Sequence, residues 1–130
     1  MEKNRRALER LLGKKVEVRG HTDLTLGDLK FSGNAQRRKR RRLLFHGTFL
    51  LDFDLGYLEK TLQIPSKQPA YRANRGHSAF VTNLGVPAER VKKALAAVWG
   101  AEGKMTKAPE ERMRTLARER YSNEDWNLKF

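Results

Sequence analysis

The chain has 130 residues, 38% of them hydrophobic and 33% charged, with a formal net charge of +13. That length makes one domain with a real core, and the sign of the charge points to anionic partners: nucleic acid, nucleotides or an acidic protein. With no cysteine, disulfides, thiolate metal sites and cysteine nucleophiles are excluded from this chain. No apolar run approaches the roughly 20 residues of a membrane span and no signal core follows the basic start, so a cytoplasmic location is expected.

In chain order, Glu2–Leu12 predicts a helix with Ala7, Leu8, Leu11 and Leu12 on one face and Gly13 as its stop. Val16 to Arg19 alternates apolar and polar residues, as a half-buried strand does. Leu24 to Leu26 resumes a strand, and Gly27-Asp28 turns it back into Leu29-Lys30-Phe31. Gly33-Asn34 predicts another turn. Residues 37–42 are six consecutive cations and read as a basic loop, and Leu43 to Leu51 predicts a long, mostly buried strand. Asp52 or Asp54 then caps a helix with Leu55, Leu58 and Leu62 on one side.

Residues 64–79 carry Pro65, Pro69 and Gly76 and read as an irregular surface loop. Phe80 to Leu84 returns to the core. Pro87 opens a helix whose stripe is Val91, Leu95, Val98 and Trp99, ending at Gly100. A last helix starts near Pro109 with Glu110 and Glu111 in its first turn. Trp126 and Phe130 predict a tail that packs on something.

Three features carry chemistry. Lys30 stands before a small-residue string, Ser32-Gly33-Asn34-Ala35. A compact ammonium there can stabilise charge growing on a carbonyl or phosphate oxygen, and small residues let backbone N–H groups approach an anion. The alternative is a solvated strand lysine beside an ordinary turn. His46-Gly47-Thr48 lies inside an apolar run; the histidine reads as a core residue, whereas a strand-interior glycine marks a close approach by ligand or backbone. Asp23 either holds a metal–phosphate complex or pins a turn. The basic run at 37–42 fits a solvated face, nucleic acid, or an acidic protein domain. No aromatic residue interleaves it, so it lacks the pattern of a single-strand stacking surface.

Taken together, Lys30-x-x-Gly33-x-Ala35 followed by His46-Gly47-Thr48 resembles the lipoate–protein ligase family. The likeness continues in Asp23-Leu24, in Leu50-Leu51-Asp52-Phe53-Asp54-Leu55, in Val81-Thr82-Asn83-Leu84 and in Glu124-Asp125-Trp126-Asn127. It departs at Thr22, where the family often has asparagine, and at Phe45, where it often doubles the histidine. The family's upstream arginine- and glycine-rich motif is not in this sequence.

The resemblance implies an α+β fold, a mixed sheet packed with helices, as in half of a biotin/lipoate protein ligase catalytic domain, with residues 1–130 forming a single partial domain. It implies ATP-dependent activation of lipoate to lipoyl-AMP and transfer to a lysine of an acceptor domain. Lys30 would be the catalytic residue. Asp23, Ser32, Gly33, Ala35, Gly47 and Thr48 would bind nucleotide and acyl-adenylate, and Asp23 would also hold Mg2+. ATP, Mg2+ and lipoate are the expected small molecules. The expected partners are an acidic lipoyl acceptor domain and either an upstream catalytic half on another chain or a second copy of this one. Nucleic acid is the second choice, through a non-enzymatic basic module. Octanoyl transferases of this fold use an acyl-cysteine, which this chain cannot form; a biotin ligase fits the residue order less well.

Overall fold

The structure is a computed structural model and describes residues 1–129. Helix α1 (Glu2–Leu12) opens the chain and ends where Gly13 adopts φ 61° and returns its N–H to the carbonyl of Glu9. That left-handed stop suits glycine, which has no Cβ to clash. Four strands follow, β1 (Glu17–Arg19), β2 (Asp23–Leu26), β3 (Leu29–Lys39) and β4 (Arg42–Phe49). They form one antiparallel meander in the order β1-β2-β3-β4. No helix among the described residues is long and apolar enough to cross a membrane.

The core is small. Leu8 of α1, Val16, Leu24 of β2, Phe31 of β3 and Val91 of the later helix α4 (Ala88–Trp99) bury together. Complete burial of a side chain such as Phe31 contributes on the order of 1.5–3 kcal/mol. Helices α1 and α4 are also tied by a polar clasp, in which the indole N–H of Trp99 donates to Asn4 Oδ1 at 2.8 Å.

Two expectations fail along β3 and β4. Gly33-Asn34 is not a turn: neither residue has a positive φ, and β3 runs through both in register with β4, Gly33 opposite Thr48 and Asn34 opposite Gly47. The Asn34 side chain, which would have closed a local turn, reaches instead to Thr22 in the turn before β2. Its amide donates to the Thr22 carbonyl at 2.8 Å and to Ser32 Oγ at 3.0 Å, while the Thr22 hydroxyl donates to the Asn34 carbonyl at 2.6 Å. The basic run is likewise mostly strand, with residues 40–41 alone forming the turn between Lys39 and Arg42. The strand that follows is not mostly buried: Leu43 and Leu44 are each 59% exposed, because no layer of the core reaches that far along the hairpin.

Beyond β4 come α2 (Gly56–Thr61), a 3-10 turn (Ala70–Arg72) and α3 (His77–Phe80). Asp54, two residues before Gly56, accepts its N–H at 2.9 Å. Segment 81–85 re-enters beside the sheet: Thr82 N–H donates to the Lys30 carbonyl and Leu84 N–H to the Leu50 carbonyl, both at 2.9 Å. The chain closes with α5 (Glu110–Leu116), a π-helical turn (Ala117–Tyr121) and α6 (Glu124–Asn127). The expected packing of Trp126 is seen against Tyr121 and Arg120; Phe130 lies outside the described residues.

Candidate active site

Lys30 sits near the start of β3, where a shift of register between Leu24 and Thr25 interrupts the pairing with β2. Its ammonium lies 2.8 Å from Asp23 Oδ1. The other oxygen of Asp23 accepts the Tyr71 hydroxyl at 2.7 Å. Burial, and then the neighbouring Asp23 carboxylate, push the Tyr71 phenol well above its ordinary pKa, so it remains a neutral donor. The carboxylate is thereby held from one side and holds Lys30 on the other. One ammonium hydrogen goes to Asp23, and two of the three remain for a ligand.

Gly33 leaves that lysine room. A Cβ there would stand 3.3 Å from Lys30 Nζ and 3.4 Å from its Cε, so the missing side chain leaves the lysine its path. Gly47 has a different neighbour. A Cβ on it would fall within 3 Å of the Asn34 side chain and 2.9 Å from the Gly33 carbonyl. The close approach expected at Gly47 is therefore occupied by Asn34 from the facing strand.

Lys30, Ser32, Gly33 and Thr48 line one cavity of about 360 Å³. Its apolar wall is made by Leu50, Leu58, Leu62, Phe80 and Val81. Asp23 stands behind Lys30 as its partner. Ala35 is exposed two residue pairs further out, opposite His46, and neither Ala35 nor Gly47 belongs to the lining.

The same cavity brings in two residues that sequence reasoning did not single out, Arg72 and His77, both buried. Arg72 donates from Nε to the Arg75 carbonyl at 3.0 Å and lies over the Phe80 ring at 4.7 Å. Its Nη2 faces His77 Nδ1 at 3.5 Å. A guanidinium only donates, so Nδ1 is the acceptor, and the hydrogen on Nε2 points to the Gln63 carbonyl 3.3 Å away. These partners of Arg72 are neutral, and no carboxylate pairs with it among the described residues. A buried cation without a counter-ion is costly; an anion in the cavity would offset it. The 64–79 segment, read as a surface loop, thus supplies a wall of the site. The signal was the aromatic–arginine pair Tyr71-Arg72 amid turn residues, too short for any periodicity.

Glu59 fastens this wall. Its carboxylate accepts the N–H of Ser78 at 2.7 Å and the Ser78 hydroxyl at 2.8 Å, which holds its pKa below the ordinary carboxylate value and ties α2 to α3. As a metal site the arrangement fits poorly. Both Asp23 oxygens are engaged, and no group of three or more His, Asp or Glu converges among the described residues.

Comparison with known proteins gives a consistent picture. Residues 4–98 match the family described as the lipoyl protein ligase A/B catalytic domain. Octanoyltransferase LipM of Symbiobacterium thermophilum is 28% identical over 120 residues, covering 82% of this chain and 44% of that protein. Lipoate–protein ligase 1 of Staphylococcus aureus is 27% identical over 127 residues, covering 89% and 39%. In fold the chain is similar to a lipoate-protein ligase A bound with ATP (TM-score 0.79, 24% identity, 97% of this chain and 55% of that one). It is also similar to a bi-partite lipoate protein ligase from Thermoplasma acidophilum, described with its E2 lipoyl domain (TM-score 0.76, 24% identity, 97% and 54%). The chain spans less than half the length of these curated relatives.

Proposed function

The chain belongs to the lipoyl protein ligase A/B catalytic-domain family, and from that premise we propose that it serves ATP-dependent lipoylation, holding lipoyl-AMP at Lys30. The observation that carries this reading is one cavity with a cationic end and an apolar wall. Lys30 and Arg72 supply the charge, and leucines with Phe80 and Val81 supply the wall. An acyl-adenylate has that division: an apolar acyl chain joined to an anionic phosphate.

In the first step a lipoate carboxylate oxygen attacks the α-phosphorus of ATP and pyrophosphate leaves. In the second an acceptor lysine amine attacks the acyl carbonyl, AMP leaves, and the amine loses a proton. Both steps build negative charge on oxygens at the acyl phosphate. Lys30, fixed by Asp23, meets that charge without having to reorganise. Tyr71 keeps Asp23 in place, and Arg72, seated on His77, offers a second cation to the ligand's phosphate or carbonyl oxygens. Ser32 and Thr48 line the floor, with Gly33 leaving the lysine its path; Ala35 and Gly47 shape the strand pair behind them. Magnesium would arrive on the phosphates of ATP, since Asp23 has both oxygens engaged. Under this reading the chain is the second half of a catalytic domain, and a complementary half completes the pocket.

The test is mass spectrometry of an unmodified lipoyl acceptor domain incubated with lipoate, ATP, Mg2+ and this chain, with and without a co-expressed upstream half. A lipoyl mass increment on the acceptor lysine, lost in Lys30→Ala, is expected with both halves present. No increment with both halves folded and present would refute the ligase reading.

A further inference from the structure

The strand register places a second feature on the cavity's own face of the sheet. Directly opposed residues of an antiparallel pair share a face, and every second pair returns to it. Gly33 and Thr48 line the cavity. Continuing outward on that face come Ala35 with His46, Arg37 with Leu44, and Lys39 with Arg42. At about 3.3 Å per residue, Lys39 lies roughly 20 Å along the strand from Gly33.

This outer end is built against its own stability. Lys39 faces Arg42 directly, with Arg37 two pairs inward on the same face, and like charges directly opposite each other destabilise a strand pair. Residues 37–42 are all exposed, and none forms an ion pair among the described residues. A further cation joins them from near the other end of the chain. Arg120, stacked 3.7 Å over the Trp126 ring, lines one shallow groove together with Arg37, Lys39, Arg42 and Leu44. Arginines beside two aromatic rings, Tyr121 and Trp126, in one patch have the composition of a protein-binding surface. Trp126 is covered by Arg120 on its face and by Tyr121 at 5.9 Å, so it is not offered for base stacking as a single-strand surface requires.

We propose that Arg37, Lys39, Arg42 and Arg120 form a docking rail for the acidic surface of the acceptor protein whose lysine is modified at the Lys30 cavity. The inference rests on the ligase reading and locates its partner. A folded domain of about 80 residues is roughly 30 Å across. Seated on the rail, it spans the 20 Å to the cavity and brings a lysine on its near edge over the acyl carbonyl. Complementary charge speeds encounter and fixes the docking register.

The experiment uses the full chain together with the co-expressed upstream half, and titrates an acidic E2-type lipoyl domain with its lysine unmodified, a non-hydrolysable lipoyl-adenylate analogue and a single-stranded oligonucleotide each into wild type and Arg37→Glu/Lys39→Glu. The rail predicts that the acceptor binds wild type, that binding falls by about tenfold or more in the double variant and weakens with salt, and that the analogue binds both alike. If the analogue binds and the acceptor does not, or binds both forms equally, the rail is wrong and the ligase reading survives. If neither the analogue nor the acceptor binds, the ligase reading fails and takes the rail with it. Preference for the oligonucleotide over the acceptor overturns the rail in favour of nucleic acid. Should the glutamates unsettle the hairpin, Arg37→Gln/Lys39→Gln, checked by circular dichroism, must show the same ordering of effects.

Discussion

The inner and outer ends of one hairpin obey opposite rules. At the inner end of β3 and β4, polar groups are matched inside the protein: Lys30 with Asp23, Asn34 with Thr22 and Ser32. At the outer end, six cations find no internal carboxylate among the described residues and two leucines face solvent. Both ends share the same backbone ladder, so hydrogen bonding does not distinguish them. What differs is where the side chains' partners lie. Inside, they belong to the fold; outside, the charge stands exposed to solvent.

The sharpest break between the two ends should appear in stability. Phe31→Ala removes a fully buried ring from the core and should cost about 3–5 kcal/mol. Arg40→Ala at the turn should stay within about 0.5 kcal/mol of wild type. Urea unfolding of the two variants checks this; equal effects would dissolve the distinction. Gly47→Ala is the next largest. Its new methyl would strike Asn34 and the Gly33 carbonyl, with an expected loss of about 1–3 kcal/mol, seen as a lower urea midpoint.

A smaller change should have the reverse sign. Lys39→Glu replaces a like-charge pair with an opposite one across from Arg42 and should raise stability by about 0.2–1 kcal/mol while weakening acceptor binding. A variant that loses both would mean that the outer end serves the fold after all. The smallest effect concerns pH at the cavity wall. Glu59 is held below its ordinary pKa by the Ser78 N–H and hydroxyl. A depressed carboxylate contributes stability above its unfolded value and loses it as pH falls through the folded one. The protection of the Ser78 amide against hydrogen exchange, taken relative to its intrinsic rate at each pH, should therefore fall in acid, and Glu59→Gln should remove that dependence.

Much of the inner end was legible in the sequence because its signals are local. Helix α1 begins and ends where its apolar stripe and Gly13 place it, and the β2–β3 turn falls at Gly27-Asp28. Gly33-Asn34 misled because the pair carries ordinary turn chemistry. The glycine instead clears space for a lysine, and the asparagine bonds to Thr22 in the turn before β2. Arg72 and His77 were missed because they are joined to Lys30 only by the tertiary fold, from a segment with no period to read. The basic run was visible as charge. Its partition into one face aligned with the cavity depends on register with β4, which no single segment encodes, and Arg120 reaches it from near the other end of the chain.

The central claim is that Lys30 is the cation that holds an acyl-adenylate in the cavity behind Gly33. Calorimetry of the non-hydrolysable lipoyl-adenylate analogue against wild type and Lys30→Ala, each with the co-expressed upstream half, tests it. Binding to wild type that weakens by about 100-fold in the variant, with thermal stability retained, is the predicted result. No binding with both folded halves present, or the same affinity for wild type and variant, would contradict it.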